Sequence, residues 1–568
     1  MKKILFALLA TLALVFPASP SSADAIDEQY VPTLPAAKDY QGYLSMEANE
    51  LQRFGSSLLS FVSGGGKVDS VTACTSLNDA GCGYVDYQRY RALIPRCEAG
   101  VATDCVSAIT ANDESGTALS ITQAGYFESK SPQLFKGDPS QNLPTGGDAL
   151  LFRVPGAPHA GGDLYLLRVE FLGSRDIANT KTFRLDRFQA SIWAVKIIDG
   201  SFGLTLDSTD TATYTSKMNV MGAVNGPQSS TFNPDAIDCV VKSPTQCAKA
   251  YPLPLNISFG FSMEMNQEMF GWLTGRMHLP VISITNGAGN NKTVSVSAQP
   301  IQIPIVDIWA KNSDLTPELK AFYSGKPNFG NNFFVDPQYK DILSAPLSSF
   351  ALRRLAGTSK SIESMNEFLA WLPLASDKAA ALPTLWTVQN LVDKGQITRA
   401  ECYNDVKGIT GIVTTNASQY LDGPPQYDKV QQVLNYKVAA PHLTPKGEVF
   451  KGVYDLVLRS DVARCIYGFS KAPIRATISV LSENGSPDVA TTLINEKNGW
   501  LTLGAYGFHY SAPTVQVKLA QDAPAPEATP SVKPTPILKT TVTCIKGKVI
   551  KKVTAVNPKC PSGYKKKA

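Results

Sequence analysis

From residue 255 to 266 the sequence LNISFGFSMEMN alternates without a break. Leu255, Ile257, Phe259, Phe261, Met263 and Met265 fall on one side, and Asn256, Ser258, Gly260, Ser262, Glu264 and Asn266 on the other. A repeat of two belongs to a strand, so the segment predicts a strand with one buried face. VISIT and TVSVSA flank a Gly/Asn-rich run at 286–291, which predicts a hairpin. DLYLLRVEFLG and FRLDRFQASIWAVKII supply further strands, and VYDLVLRS, IRATISVLS and TVQVKLA follow beyond residue 450, with ENGS at 483–486 as a turn. Closely spaced strands without regular helical crossovers favour antiparallel sandwiches over a parallel α/β sheet.

A different period appears at 43–62. There Leu44, Ala48, Leu51, Gly55, Leu58 and Val62 recur at spacings of four and three, which predicts a helix within an N-terminal segment, 26–66, packed on the body. SGGGK at 63–67 would end it. That run lacks the first glycine of a phosphate loop, since Phe61 stands in its place. Short helices are expected over 316–323, 361–372 and 385–394, broken by prolines. The fold class predicted is therefore mainly β: two antiparallel β-sandwich-like domains at 67–310 and 401–520, joined by a helical, loop-rich connector at 311–400. Five prolines between Pro524 and Pro536 make 521–540 an extended linker, and 541–568 is a small hairpin tail.

The chain opens MKKILFALLATLALVFPASPSSADA, two lysines before a short apolar run and a small-x-small site. This predicts a secretory signal peptide over 1–25, cut after Ala25, leaving no transmembrane anchor. The net charge of +5 conceals a division. Setting aside Lys2, Lys3 and the eight lysines from Lys546 onward leaves a body of −5. A mildly acidic body argues against nucleic-acid binding, which concentrates Lys and Arg on the recognition domain. Ten cysteines in an exported chain predict disulfides. Cys74/Cys82, Cys97/Cys105 and Cys239/Cys247 each enclose seven residues rich in turn formers, which favours three local loops. Cys402 with Cys465, and Cys544 with Cys560, follow by elimination.

Candidate chemistry is sparse. Met263, Met265, Met269 and Met277 precede His278, and thioethers with an imidazole suit copper. The plainer reading makes the first two a continuation of the inward stripe. Glu264 and Glu268 are four apart, and a glycosidase needs two carboxylates facing each other across a sugar, though paired surface glutamates are common. His159 and Asp163 share the glycine-rich turn PHAGGD. The four histidines are scattered, and neither HExxH nor GxSxG occurs. LPTGG at 143–147 has the wrong order for a wall-sorting signal and reads as a loop. Of the tryptophans Trp193, Trp272, Trp309, Trp371, Trp386 and Trp500, most are expected in the core, and any forming a shallow exposed face would favour sugar binding.

The last stretch, TVTCIKGKVIKKVTAVNPKCPSGYKKK, resembles a tail that closes otherwise different secreted proteins of actinobacteria. The preceding segments VARCIYGF, IRATISV and GWLTLGAYGFHYSAPTVQVKL are similar to the β-domain of proteins bearing that tail. The resemblance covers 402–568 and implies an exported, surface-associated protein, with no activity attached. The expected function is a secreted, cell-envelope-associated protein that binds or scaffolds without catalysis. Lys546, Lys548, Lys551, Lys552, Lys559, Lys565, Lys566 and Lys567 would contact an anionic wall polymer, and a polysaccharide or surface protein would be the body's ligand. No cofactor is implied. The alternative is an extracellular hydrolase acting on a polymer, with its site within 145–310.

Overall fold

The computed structural model describes the chain from 26 to 521, outside 31–39, 48–54, 128–133, 201–238, 324–332, 336–350, 392–399, 482–486 and several stretches of four or fewer residues, and again from 538 to 568. The expected signal peptide with Ala25, Glu268, the expected ENGS turn and most of the expected proline-rich linker lie outside the described residues. The protein is mainly β, built from several antiparallel and mixed sheets, none closed into a barrel. Among the described residues, no helix is long and apolar enough to cross a membrane.

One large sheet runs through the first of two compact units, which holds the described chain up to Phe469 and Ile474–Ala520. Its path takes Lys67–Cys74, Ser57–Gly64, Tyr87–Leu93, Leu164–Asp176, Arg184–Asp199 and Thr387–Asn390, then Trp272–Arg276, Gly411–Thr415, Lys451–Arg459, Trp500–His509 and Thr491–Lys497. Segments expected in two separate sandwiches thus share one sheet. The joint is Trp272–Arg276, antiparallel to Thr387–Asn390 and parallel to Gly411–Thr415.

The period of two explains how one sheet serves two cores. Leu273, Ile412 and Val457 stand side by side in the ladder and face a core that also holds Phe171, Phe188, Phe259 and Met263. Their neighbours Trp272, Val413, Leu456 and Leu458 turn to the opposite face, into a core with Leu434, Leu503 and Val515. Residues 272–276 and 411–415 are buried throughout. Strands covered on both faces carry no alternating signal, so the sequence does not reveal that they join the halves. The predicted 255–266 strand is present as Ser258–Met265, in a four-stranded sheet beside the expected hairpin His278–Asn286/Lys292–Gln299.

The N-terminal helix is corrected. Tyr40–Ser45 is a strand between Val306–Lys311 and Ala351–Leu355, and Ser57–Gly64 pairs with Lys67–Cys74 and Tyr87–Leu93. Tyr43 and Leu44 are buried on opposite faces, so partners on both sides override a local spacing that happens to fit a helix. Of the GGGK run, Gly64 ends one of these strands and Lys67 opens the next, while Gly65 and Gly66 lie outside the described residues. Of the expected connector helices, Pro317–Tyr323 and Ile362–Trp371 form, whereas 385–394 gives the strands Thr384–Leu385 and Thr387–Asn390. Ser460–Tyr467 is a helix the strand pattern did not predict, capped by Gly468 at φ 67°.

All five disulfides pair as expected: Cys74–Cys82, Cys97–Cys105, Cys239–Cys247, Cys402–Cys465 and Cys544–Cys560. With no cysteine left free, the chain suits an oxidising, extracellular environment.

Candidate functional site

The second unit contains the tail. Thr540–Lys546 and Val549–Ala555 form the expected hairpin, turning at Gly547 with φ 61°, a backbone conformation glycine adopts at no steric cost. A third strand, Lys565–Lys566, joins the free edge of the first. Cys544 is the only fully buried residue from 541 onward, and Val549 and Ile550 remain 58% and 59% exposed. So small a unit is held by its ladder and by Cys544–Cys560 rather than by apolar burial. All eight tail lysines are exposed. Lys551 and Lys566 flank Cys544 on one face, while Lys552 and Lys565 stand in register with Thr543 and Ile545 on the other. Positive charge therefore covers both faces, with no acidic residue between 541 and 568 to neutralise it.

A second feature lies in the first unit. A cleft of about 660 Å³ is lined by His278, Gln299, Gln302 and the loop carrying Lys446 and Glu448. His278 opens its strand directly opposite Gln299. The next residues form a β-bulge, in which Leu279 takes φ 53°, a conformation costly for a non-glycine residue. The bulge turns His278 toward Asp455, and Nδ1 lies 3.0 Å from Oδ2 of that carboxylate. Asp455 is wholly buried, accepts the Leu279 amide at 3.1 Å on Oδ2, and accepts the Tyr506 hydroxyl at 2.6 Å on Oδ1.

Tyr506 reaches Asp455 through two further features of the backbone. A second bulge at Gly507, with φ 81°, sets its direction. Its ring passes over Gly504, the ladder partner of Asp455, where a Cβ would strike the phenol. Burial, reinforced by the Asp455 charge, raises the Tyr506 pKa and keeps the phenol a donor. A buried aspartate served by three donors fixes the proton of His278 on Nδ1 and leaves Nε2 as the free ring nitrogen. Nearby, Lys451 Nζ donates to His509 Nε2 at 2.7 Å, and the His442 and His509 rings stack at 5.8 Å. His442 and His509, far apart in sequence, are thus neighbours in space, and Lys451 connects His509 to the cleft that His278 lines.

The other candidates resolve individually. Met263, Met265, Met269 and Met277 all lie in the first core, and His278 directs Nδ1 to Asp455. Among the described residues, no three His, Cys, Asp or Glu side chains converge as a metal centre. Glu264 accepts the Thr293 hydroxyl at 2.9 and 3.1 Å. His159 bonds the Leu164 carbonyl at 2.9 Å and accepts the Gly161 amide, while Asp163 pairs with Arg153, so the two do not orient each other. Burial lowers the His159 pKa. Trp193, Trp272, Trp371 and Trp386 are buried, and Trp309 and Trp500 half-buried, so no tryptophan forms an exposed platform. LPTGG is a loop, bridged at Leu143, Gly146 and Gly147.

Sequence reasoning missed Asp455. The available signal was a carboxylate in the middle of the apolar strand VYDLVLRS, a position that requires a buried partner. Its partner lies 177 residues away, beyond any local pattern. No protein-family model matches the chain, and no curated protein matches it.

Proposed function

We propose that this is an exported, envelope-associated protein in which the tail attaches the body to an anionic wall polymer. The observation carrying the reading is the tail itself: eight exposed lysines on a disulfide-stapled unit, set against a body of opposite net charge. Such attraction is spread over both faces of a small sheet and needs no single pocket. It is screened over about 8 Å at physiological salt, so attachment should weaken as salt rises. The similarity of the tail to those of secreted actinobacterial proteins is consistent with this role.

The test compares cells expressing the full chain with cells expressing one stopped at Thr540. The full chain should fractionate with the envelope at low salt and be released as salt increases. The truncated chain should appear in the medium at every salt concentration. Identical distributions of the two chains at low salt would rule out attachment through the tail.

A further inference from the structure

We propose that the cleft at His278 is a hydrolytic site for carboxylic esters, with His278 as general base, Gln299 as the hydrogen-bond donor beside it, and Asp455 and Tyr506 as positioning residues. The inference is independent of how the protein is attached to the envelope. His278 and Gln299 come from the region in which a hydrolase site was expected, but Asp455 and Tyr506 come from strands beyond residue 450.

Four observations converge here. The imidazole is at the cleft wall with 26% of its side chain exposed, and its Nδ1 is occupied by a fully buried carboxylate. That carboxylate is held on its far side by Tyr506 and on its near side by the Leu279 amide. Two bulges and a glycine without room for a Cβ are needed to bring these groups together. Simple core packing asks for none of them, whereas bulges that re-aim side chains are common beside reactive sites. Finally, Gln299 is the direct ladder partner of His278, which sets their Cβ atoms about 5 Å apart on one face. Gln299 also lines the cleft, and its carboxamide has no protein partner among the described residues.

The chemistry follows from that arrangement. A water molecule gives a proton to Nε2 of His278 while its oxygen bonds to the ester carbonyl carbon. The carbonyl oxygen takes up the negative charge and accepts from the Gln299 carboxamide. The bond to the alcohol oxygen then breaks, and Nε2 returns its proton to the departing alkoxide. Ester and water become carboxylic acid and alcohol, the imidazole is restored, and nothing else is consumed. No serine or cysteine is among the described residues lining the cleft, and the Thr444 hydroxyl is taken up by the Glu448 amide at 3.2 Å, so water is the nucleophile. A single imidazole suits an ester, whose alkoxide leaves more readily than an amide nitrogen. Pro300, Phe450 and Val453 give the cleft an apolar wall for an acyl chain, and Asp27, Lys446, Glu448 and Lys451 are the charged groups around it.

The experiment measures hydrolysis of 4-nitrophenyl acetate and 4-nitrophenyl butyrate by the purified full chain from pH 5 to 9. His278→Gln, at a partly exposed position, should keep the wild-type melting temperature and lower kcat/KM by about 100-fold or more. His442→Gln should leave the rate unchanged. Asp455→Asn should lower kcat with KM preserved, because it misdirects the base without altering the ester's binding wall. Equal rates for wild type and His278→Gln across the pH range would overturn the proposal. So would a folded Asp455→Asn with unchanged kcat. Should Asp455→Asn fail to fold, the His278→Gln comparison decides alone.

Discussion

At the scale of single residues, the body buries charge as well as apolar surface. Glu170 is 3% exposed, with the Arg168 guanidinium at 2.5 Å and that of Arg91 at 3.3 Å. Burial opposes the charge on Glu170, but Arg91, Arg168 and Arg187 outweigh it and hold the carboxyl below its ordinary value of 4.5. A depressed carboxylate adds stability that is fully present above the unfolded-state value and is lost as pH falls through the folded value. Glu170→Gln should therefore cost about 3–5 kcal/mol at pH 7, because it leaves buried guanidinium groups without their counter-charge. Wild type and variant should begin to converge in urea-measured stability as pH falls below the ordinary value of 4.5, and go on converging until the lower folded value is passed and Glu170 is neutral in the folded protein as well. A gap unchanged between pH 7 and pH 3 would show that the ion pairs are not its source. Nothing in LYLLRVEFLG reveals this cluster: Arg168 and Glu170 follow the strand alternation of a half-exposed sheet, and Arg91 is 79 residues away. His278 and Asp455 were illegible for the same reason, as the sequence shows each group without its partner.

Elements were more legible where one face is covered and the other is wet. The strand at 258–265, the 278–299 hairpin and the tail hairpin were all readable, because each has an alternating pattern or a glycine-centred turn. The 40–45 and 57–64 strands were not, since Gly42–Ser45 and Leu58–Phe61 are each buried in succession, which removes alternation and leaves a spacing that imitates a helix. The tail is the element most dependent on covalent support. Closing its loop of about 15 residues contributes roughly 3 kcal/mol through the restricted unfolded chain, more than its exposed isoleucine and valine side chains can supply. In a full chain carrying both Cys544→Ser and Cys560→Ser, amide resonances from the tail should collapse to random-coil positions while those of the body stay dispersed. The lysines persist in that chain, so envelope retention should weaken without vanishing. A tail that stays dispersed after both substitutions would place its stability in the ladder rather than in the disulfide.

For the whole molecule, the deciding fact is that two hydrophobic cores lie on opposite faces of shared strands. Along Lys451–Arg459, Val457 enters the first core, and Leu456 and Leu458 enter the second. Two independent sandwiches on a flexible connector would unfold in two steps, and damage to one would spare the other. Strands common to both cores couple them instead, because unfolding one core removes one wall of its neighbour. Leu456→Ala removes a fully buried side chain from the second core and should cost about 2–5 kcal/mol. Calorimetry on the body should show one transition in wild type and one in the variant, shifted to lower temperature as a whole. A variant trace that splits, with one part at the wild-type temperature, would mean that the cores fold separately despite their common sheet. The same coupling bears on the cleft, since His278 belongs to a strand of the smaller four-stranded sheet, whereas Asp455 and Tyr506 belong to the large sheet. Their geometry therefore depends on both sheets staying packed, and ester hydrolysis should be lost along the same thermal curve that unfolds the body.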